Sequence, residues 1–368
     1  MKILYLTSGG NIHDFRFLKK FKEFGIKIFL LHYSKNSLIN DIHKLNLEFL
    51  VHKKPKILPS FPLLSQIGHF RKIVNEFKPD IIHSGYVWQV GILPAMLNLH
   101  PHLSMPWGSD ILVEPDKYYF IKLLVSKVMM QCDHISCDAK FVKERIVNNY
   151  KIDEGKITVF PWGVNMDVFK KYNKMKTRNR LNLSENKYIL IMTRNFTPIY
   201  NIEFFINSIY KLRTIRSDFI VLLIGSGPLE SKIKKLVNKL NLKDVVKLVG
   251  FVNNCEMPYY LSAADVYVST SISDGTSLSL LEAFACGLPA IVTKVPAVLE
   301  WVNNHKNGIV IEQEDESGFV QETSILLDDR NKRKEMGEMN YSIAQTKANW
   351  DQNFEILISV YEKLSKCG

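Results

Sequence analysis

The sequence lacks the cysteine pattern of a disulfide framework or a zinc site. Its five cysteines are an odd number and include no CxxC pair, so reduced thiols in a cytosolic chain are the simpler interpretation. Long apolar runs are also missing. The longest charge-free stretch, residues 81–109, is interrupted by His, Gly, Gln and Pro, and the apolar run at the N-terminus is too short for a signal peptide. We therefore expect a cytoplasmic protein, either soluble or peripheral on the cytoplasmic membrane face.

Acidic residues are scarce in the first half of the chain. Residues 1–184 hold 28 Lys and Arg but 15 Asp and Glu, whereas the remaining residues hold 20 and 22. The formal charge of +11 is therefore concentrated in the N-terminal half, which is expected to meet a negatively charged partner. Early in this half, Phe15, Phe17, Phe21 and Phe24 alternate with lysines and an arginine. That pattern fits either an interfacial amphipathic face or a core-facing aromatic stripe with solvated lysines.

Short apolar runs alternate with longer helical patterns along the 368 residues, which is typical of a parallel sheet with crossover helices. KILYLT, IKIFLLHY, PDIIHSG, HLSMPW, HISCD and ITVFPWG are predicted strands of a first series. KYILIMT, FIVLLIG, VVKLVGF, ADVYVST, LPAIVT and NGIVI are those of a second. A basic stretch, residues 170–180, separates them and is predicted to be an exposed linker. The sequence thus predicts two doubly wound domains, whose ligands bind at the carboxyl ends of the strands.

The most informative stretch is residues 271–293, SISDGTSLSLLEAFACGLPAIVT. It predicts a loop and then a helix, with a hydroxyl residue at the N-cap and Gly287 at the end of the helix. Unpaired N–H groups at such a helix N-terminus suit a phosphate. Glu282 lies about one turn into the helix, from where its carboxylate can accept hydrogen bonds from ribose hydroxyls. The alternative is a capped surface helix with an exposed glutamate.

This stretch resembles the donor-site signature of retaining GT-B glycosyltransferases of the group 1 (family 4) class. Their pattern is a carboxylate and a glycine, then a glutamate that is followed by Ala-x-Ala-x-Gly-x-Pro. Here it reads Asp274-Gly275 and then EAFACGLP from Glu282. The first acid is Asp where the family usually has Glu, which shortens the side chain by one methylene.

The resemblance extends over nearly the whole chain. It implies an α/β GT-B fold, in which two Rossmann-like doubly wound parallel-sheet domains face a central cleft. Residues 1–169 correspond to the acceptor-binding domain and residues 185–347 to the nucleotide-sugar donor domain. Residues 170–184 form the basic linker, and residues 348–368 form a helix that crosses back to the N-terminal domain.

Several donor-site residues follow from the resemblance. Arg194 occupies the position of the family's diphosphate-binding arginine, and Tyr200-Asn201 replaces the usual Lys-Gly pair. The donor phosphate is also assigned to Gly10 and the start of the signature helix, at Thr276, Ser277 and Leu278. The ribose and base are assigned to Glu282, Gly225 in the GSGP turn, Phe251 and Val252.

In the first domain, the resemblance places Gly9 and His83 in the cleft, with Tyr200 from the second domain. Asp110 lies in PWGSD, which is similar to the family's His-Gly-x-Asp loop with Trp107 at the histidine position. The expected catalytic residues are Asp110, Asp274 and Glu282. The expected partners are a nucleotide-sugar donor, a glycan or lipid-linked acceptor and an anionic membrane surface, but no nucleic acid.

The resemblance implies transfer with retention, by front-face substitution in which the leaving phosphate helps to deprotonate the acceptor hydroxyl. The family lacks a DxD metal motif and the sequence contains none, so no metal site and no cofactor besides the donor are expected. A role in cell-surface polysaccharide biosynthesis is expected.

Four alternative functions make different demands on the sequence. A GT-B nucleotide-sugar epimerase or sugar-phosphate transferase and an inactive binding paralogue stay open. A nicotinamide-dependent dehydrogenase would need GxGxxG after the first strand, where the sequence has TSGGNIHD. A nucleic-acid binder would need a recognition module, which the sequence does not contain.

Overall fold

The computed structural model describes residues 1–7, 12–32, 45, 48–51 and 67–367. The chain forms two compact units. Unit 1 comprises Met1–Phe160 and Glu355–Gly368, and unit 2 comprises Pro161–Phe354. Within the described residues, no helix combines the length and the apolar character needed to cross a bilayer.

Unit 1 is built on a seven-stranded parallel sheet with the strand order β3-β2-β1-β4-β5-β6-β7. Its strands are β1 (Lys2–Thr7), β2 (Lys27–His32), β3 (Glu48–Val51), β4 (Ile81–Gly85), β5 (His102–Met105), β6 (His134–Cys137) and β7 (Ile157–Val159). The helices of its first segment are α1 (Ile12–Glu23), α2 (Ile67–Phe77), α3 (Val87–Val90), α4 (Ile92–Met96), α5 (Ser109–Leu112), α6 (Glu114–Lys117), α7 (Tyr119–Gln131) and α8 (Lys140–Tyr150). The six strands predicted for this half are confirmed, and the short edge strand β3 was not predicted.

Unit 2 has a six-stranded parallel sheet with the order β10-β9-β8-β11-β12-β13. Its strands are β8 (Tyr188–Thr193), β9 (Phe219–Ile224), β10 (Val246–Gly250), β11 (Val266–Ser269), β12 (Ala290–Thr293) and β13 (Gly308–Ile311). Its helices are α9 (Lys174–Arg180), α10 (Ile202–Ile215), α11 (Glu230–Lys239), α12 (Met257–Ala263), α13 (Leu278–Ala285), α14 (Glu316–Asp328) and α15 (Arg330–Lys347), and α16 (Trp350–Cys367) begins in unit 2 and continues into unit 1. All six strands predicted for this half are confirmed.

Both faces of the unit 2 sheet are buried, as expected for a doubly wound sheet. Ile189 and Ile191 of β8 belong to one apolar cluster together with helix α13, whereas Leu190 and Met192 belong to a second cluster with helix α10. Because successive strand side chains point to opposite faces, one continuous apolar run fills both clusters. Each fully buried side chain of this size contributes about 1.5–3 kcal/mol to folding.

The segment 170–184, predicted as an exposed linker, contains α9 and belongs to unit 2. Arg178 within it is buried. Its guanidinium donates to the Asp265 carboxylate at 2.6 Å and to the backbone oxygens of Ala263 at 2.9 Å and Lys187 at 3.1 Å. A buried charge is stable only when it is paired and hydrogen-bonded. Charge counting cannot show such partners, so the sequence does not reveal that Arg178 is buried, although most residues of the segment are exposed as predicted.

Two of the four phenylalanines of the N-terminal stripe face the interior of unit 1, whereas Phe24 is 42% exposed. Phe17 and Phe21 of α1 are fully buried, and the Phe21 ring packs at 5.7 Å from that of Tyr361 in α16. For Phe17 and Phe21, the interpretation as a core-facing stripe is therefore correct, and α1 does not present these two side chains to a membrane.

Candidate active site

Four polar residues of unit 2 meet where the strand order reverses. Strands β9 and β10 lie on one side of β8, and β11 to β13 lie on the other. In such sheets, the loops after the two central strands diverge and leave a crevice at the carboxyl edge. Arg194 follows β8 directly, and Ser269 ends β11, which Asp274 and Ser277 follow.

Arg194 is the centre of this group. Its side chain is only 7% exposed, and its Nε and Nη2 lie 3.3 and 3.2 Å from the Ser269 hydroxyl. Nη2 also donates to the Asp274 carboxylate and to the Ser277 hydroxyl. Burial alone would lower the pKa of Arg194, but the Asp274 carboxylate together with Tyr267 and Tyr200 raises that pKa above its usual value. The guanidinium is thus a fixed cation with a carboxylate partner.

Tyr200 provides a second contact to the arginine. Its ring lies 4.7 Å from the guanidinium carbon of Arg194, a cation–π distance. Burial is the main reason why the pKa of Tyr200 is raised. Asn201, at the position of the family's glycine, has a φ of 44°. This left-handed conformation favours Gly and is tolerated by Asn. At this position the chain thus has a left-handed Asn201 and an aromatic ring that contacts Arg194.

Helix α13 begins at this group. Ser277 occupies the N-cap, but within the described chain its side chain makes no cap bond to the helix; its hydroxyl is instead engaged by Arg194. The predicted hydroxyl residue does occupy the N-cap position, but it does not form the capping hydrogen bond. The helix ends as predicted, since Gly287 has a φ of 74° and the Leu288 amide returns to the Ala283 oxygen at 3.0 Å.

The other residues predicted here lie just before α13 or within its first turns. Thr276 is buried and Leu278 packs against the core. Glu282 is partly buried one turn into the helix, and its charge contributes to raising the pKa of the neighbouring Cys286 thiol, after the larger effect of burial. Glu282 thus lies on the same helix whose N-terminus faces Arg194.

The predicted GSGP turn packs against the arginine loop. Gly225 has a φ of 146°, and a Cβ there would lie 2.1 Å from the Arg194 carbonyl oxygen. Its amide donates to the Gly250 oxygen at 2.9 Å, and this bond joins the ends of β9 and β10. Phe251 follows Gly250 and is 75% exposed, whereas Val252 packs on the core. The turn therefore fixes the backbone of Arg194, and Phe251 offers an open aromatic face.

In unit 1, the structure places Asp110 and His83 in the interior. Both oxygens of the fully buried Asp110 carboxylate accept backbone N–H bonds of 2.9 Å, from Val87 and Trp107. Burial raises its pKa to about 6. This carboxylate joins the loops that follow β4 and β5, and its catalytic role stays a prediction.

His83 was predicted to lie in the cleft, but its ring is fully buried. Its Nδ1 bonds the Tyr361 hydroxyl of α16, and the Tyr5 ring lies 4.7 Å away. Burial lowers its pKa to about 3. The position at a strand end suggested the cleft, and the sequence did not show that α16 covers it. Gly9 and Gly10 lie outside the described residues.

Two groups of residues were missed from the sequence. The Ser269 hydroxyl lies 3.1 Å from that of Ser271 and contacts Arg194. The run STS at the end of β11 was the available signal. In unit 1, the Glu114 carboxylate accepts hydrogen bonds from the Tyr86 hydroxyl and the Trp88 indole. Tyr86 follows β4 with a φ of 76°, which is a strained conformation for an aromatic residue. The sequence gives no signal for this cluster.

Comparisons with known proteins agree with this architecture. The family model described as glycosyl transferases group 1 matches residues 173–342, and the model described as glycosyl transferase 4-like matches residues 2–139. An uncharacterized glycosyltransferase of Methanocaldococcus jannaschii is 26% identical over 85% of this chain and 86% of its own length. UDP-Gal:alpha-D-GlcNAc-diphosphoundecaprenol alpha-1,3-galactosyltransferase of Escherichia coli is 29% identical over 51% of this chain and 49% of its own. The crystal structure of Anabaena HepE in complex with UDP matches 99% of this chain and 100% of that one, with a TM-score of 0.85 at 15% identity.

Proposed function

Because this chain belongs to the group 1, family 4-type glycosyltransferases and has their two-domain GT-B fold, we propose that it moves a sugar from a nucleotide-diphosphate donor to a glycan or lipid-linked acceptor hydroxyl, with retention of configuration. The observation that carries this proposal is the meeting of Arg194, Asp274 and Ser277 at the strand reversal of unit 2. We place the reaction in cell-surface polysaccharide biosynthesis, at the cytoplasmic side of the membrane.

The donor diphosphate binds at Arg194 and at the start of α13. The arginine provides a planar fork of donors for phosphate oxygens. The N-terminus of α13, at Thr276, Ser277 and Leu278, adds backbone N–H groups and the positive end of the helix dipole. Gly10 is included among the phosphate-binding groups only because of the family resemblance. These groups offset the charge that develops on the leaving diphosphate, so that no metal is needed.

The nucleoside lies beside the diphosphate. Glu282 accepts hydrogen bonds from the ribose hydroxyls, the turn at Gly225 approaches the nucleotide with backbone only, and Phe251 stacks on the base. Uridine nucleotides are the first donors to test, because HepE was crystallised with UDP and the name of the E. coli relative includes UDP-Gal. Stacking of one base on an aromatic side chain contributes about 1–3 kcal/mol.

The sugar is held by Asp274, which turns from Arg194 toward the sugar hydroxyls when the diphosphate takes the guanidinium. The acceptor hydroxyl attacks the anomeric carbon on the face that the diphosphate leaves. The bond from that carbon to the diphosphate oxygen breaks, and the leaving oxygen takes the proton of the acceptor. Asp110 supports the acceptor side by fixing the loops after β4 and β5, and the cluster of Tyr86, Trp88 and Glu114 is the first candidate for acceptor contacts.

A panel of nucleotide-diphosphate sugars tests the proposal. We expect one nucleotide to raise the melting temperature far more than the others and its sugar to be transferred, with EDTA without effect. Proton NMR of the product is expected to show the anomeric configuration of the donor. A β-linked product from an α-linked donor would contradict retention, and binding without any turnover would favour the inactive paralogue.

A further inference from the structure

Helix α7 carries apolar side chains on both of its faces. Val125, Val128 and Met129 are fully buried within unit 1. On the opposite face, Tyr119 and Leu123 are 74% and 50% exposed. Apolar residues all round a helix are expected where the helix is buried or meets a membrane. The exposed face of α7 is therefore unusual for a helix on a water-facing surface.

The exposed apolar residues of this helix form one continuous surface. Tyr119, Leu123 and Met130 recur at helical spacing and lie in one stripe. Tyr118 and Phe120 extend it at the N-terminal end, and all five are at least half exposed. Single exposed apolar residues are ordinary, but a contiguous group marks an interaction site. We call residues Tyr118–Met130 the 118–130 surface.

The charge around this surface is positive. Lys117, Lys122 and Lys127 are exposed, and among the described residues none of them forms an ion pair. On a helix wheel, Lys122 and Lys127 flank the apolar stripe on its two sides. Long lysine side chains can lay their methylenes on an apolar layer while the ammonium groups stay in water.

The two acids that shortly precede the surface in the sequence are engaged elsewhere. Asp116 pairs with Arg145 of α8, and Glu114 accepts from Tyr86 and Trp88. Neither of these two carboxylates pairs with the lysines of the surface. A partner that combines an apolar layer with surface anions is complementary to such a face.

We propose that the 118–130 surface docks on a bilayer that contains anionic lipid. Tyr118, Tyr119 and Phe120 insert at the level of the headgroups, Leu123 and Met130 reach the first methylenes, and the lysines bind lipid phosphates. The surface follows the loop that leaves the carboxyl end of β5, the edge at which a Rossmann-like unit binds its ligands. The inference goes beyond sugar transfer, since docking requires neither the donor nor turnover.

Co-sedimentation with vesicles tests the proposal on the full chain. Vesicles of equal parts phosphatidylglycerol and phosphatidylcholine are compared with pure phosphatidylcholine. We expect the wild type to bind only the anionic vesicles in low salt and to be released at about 1 M salt, where the Debye length is about 3 Å. Absence of binding to anionic vesicles, or equal binding to both kinds, would overturn the proposal.

Two paired variants locate the surface. Tyr119→Gln/Leu123→Gln is expected to weaken partitioning by about tenfold or more, whereas the matched pair Tyr210→Gln/Ile215→Gln, on the exposed side of α10 in unit 2, leaves it unchanged. Equal weakening by both pairs would contradict the assignment. So would a wild-type dimer that the first pair converts to a monomer while vesicle binding stays the same, because the surface would then join two copies of the chain.

The lysines give a second, independent variant. Lys122→Gln/Lys127→Gln is expected to lower binding to anionic vesicles about tenfold, at roughly a factor of several per charge. The control Lys235→Gln/Lys239→Gln removes the same charge from the exposed side of α11 and is expected to have little effect. Nucleotide binding is measured on every variant and is expected to be unchanged, so that failure of docking and failure of the proposed transfer are distinguished.

Discussion

The guanidinium of Arg194 and the carboxylate of Asp274 form an ion pair across the ends of β8 and β11, with side-chain exposures of 7% and 16%. The two residues are 80 positions apart in the sequence. Their pairing means that the cation proposed for the donor diphosphate already has an anionic partner. A diphosphate that binds there competes with Asp274, and the released carboxylate becomes available to the sugar.

Asp274→Asn tests this competition. Loss of the carboxylate leaves a buried guanidinium without its counter-charge, which is expected to lower the free energy of unfolding by about 3 kcal/mol. The same change removes a negative charge next to the diphosphate. The affinity for the nucleoside diphosphate is therefore expected to rise severalfold while sugar transfer falls.

Calorimetric titration and thermal melting measure both effects for Asp274→Asn. The nucleotide is expected to raise the melting temperature of the variant more than that of the wild type. A variant that binds the nucleotide more weakly than the wild type would show that Asp274 does not compete for Arg194.

Gly225→Ala tests the support of the arginine loop. A Cβ at Gly225 would approach the Arg194 carbonyl oxygen to 2.1 Å, so the loop must shift or the turn must open. We expect the free energy of unfolding to fall by at least about 2 kcal/mol, with weaker nucleotide binding. Gly68→Ala is the control, because a Cβ there meets nothing within 4 Å in helix α2; it is expected to be within about 1 kcal/mol of the wild type. Urea denaturation of both variants gives the comparison.

Phe251→Ala tests base stacking. The side chain is 75% exposed, so its truncation should leave the melting temperature nearly unchanged. If the ring stacks on the base, the dissociation constant of the nucleotide rises about tenfold. Tyr210→Ala, at a half-exposed aromatic residue of the same unit, is expected to change neither quantity. Equal nucleotide affinities of the wild type and Phe251→Ala would remove Phe251 from the site.

The sequence predicted the fold well because strand length, apolar content and turn residues are local signals. Every strand except β3 was placed, and β3 has only four residues at a sheet edge. The sequence also located Arg194 and the Asp274–Glu282 segment at strand ends. It could not show that the Ser277 hydroxyl binds Arg194 instead of capping its own helix, since that bond joins residues 83 positions apart.

Burial was the other property that local patterns did not reveal. His83 stands at a strand end like a cleft residue, but Tyr361 from the other end of the chain covers it. Arg178 lies in a run of basic residues but is buried against Asp265. Tyr119 and Leu123 differ from the sequence pattern in the opposite direction. Their apolar side chains in a helix suggest burial, but both are exposed.

His83→Asn tests the burial of this histidine through the pH dependence of stability. The pKa of His83 is lowered to about 3, against about 6.5 in an unfolded chain. As the pH falls below about 6.5, the unfolded state takes up a proton that the folded state does not, so the wild type loses stability. The loss from this residue is about 1.4 kcal/mol per pH unit down to about pH 4.

The variant lacks this contribution. As the pH falls, the unfolding free energy of the wild type is therefore expected to decrease more steeply than that of His83→Asn. His305→Asn, at an exposed histidine of unit 2, is the control for a substitution outside the interior. Urea denaturation between pH 4 and pH 7 measures the slopes. Parallel slopes for the wild type and His83→Asn would contradict the buried, neutral state of His83.

The central claim is that unit 2 activates a nucleotide-diphosphate sugar through Arg194. It is tested most directly by the rate of nucleoside diphosphate release from the donor selected in the panel, in the presence of acceptor. Arg216→Ala is the matched control, because Arg216 is also ion-paired and lies 5.4 Å from the ring of Tyr188, at the opposite end of β8. Arg194→Ala is expected to lower kcat/KM by about 100-fold or more, with Arg216→Ala within about threefold of the wild type. Equal rates for Arg194→Ala and Arg216→Ala would contradict the account.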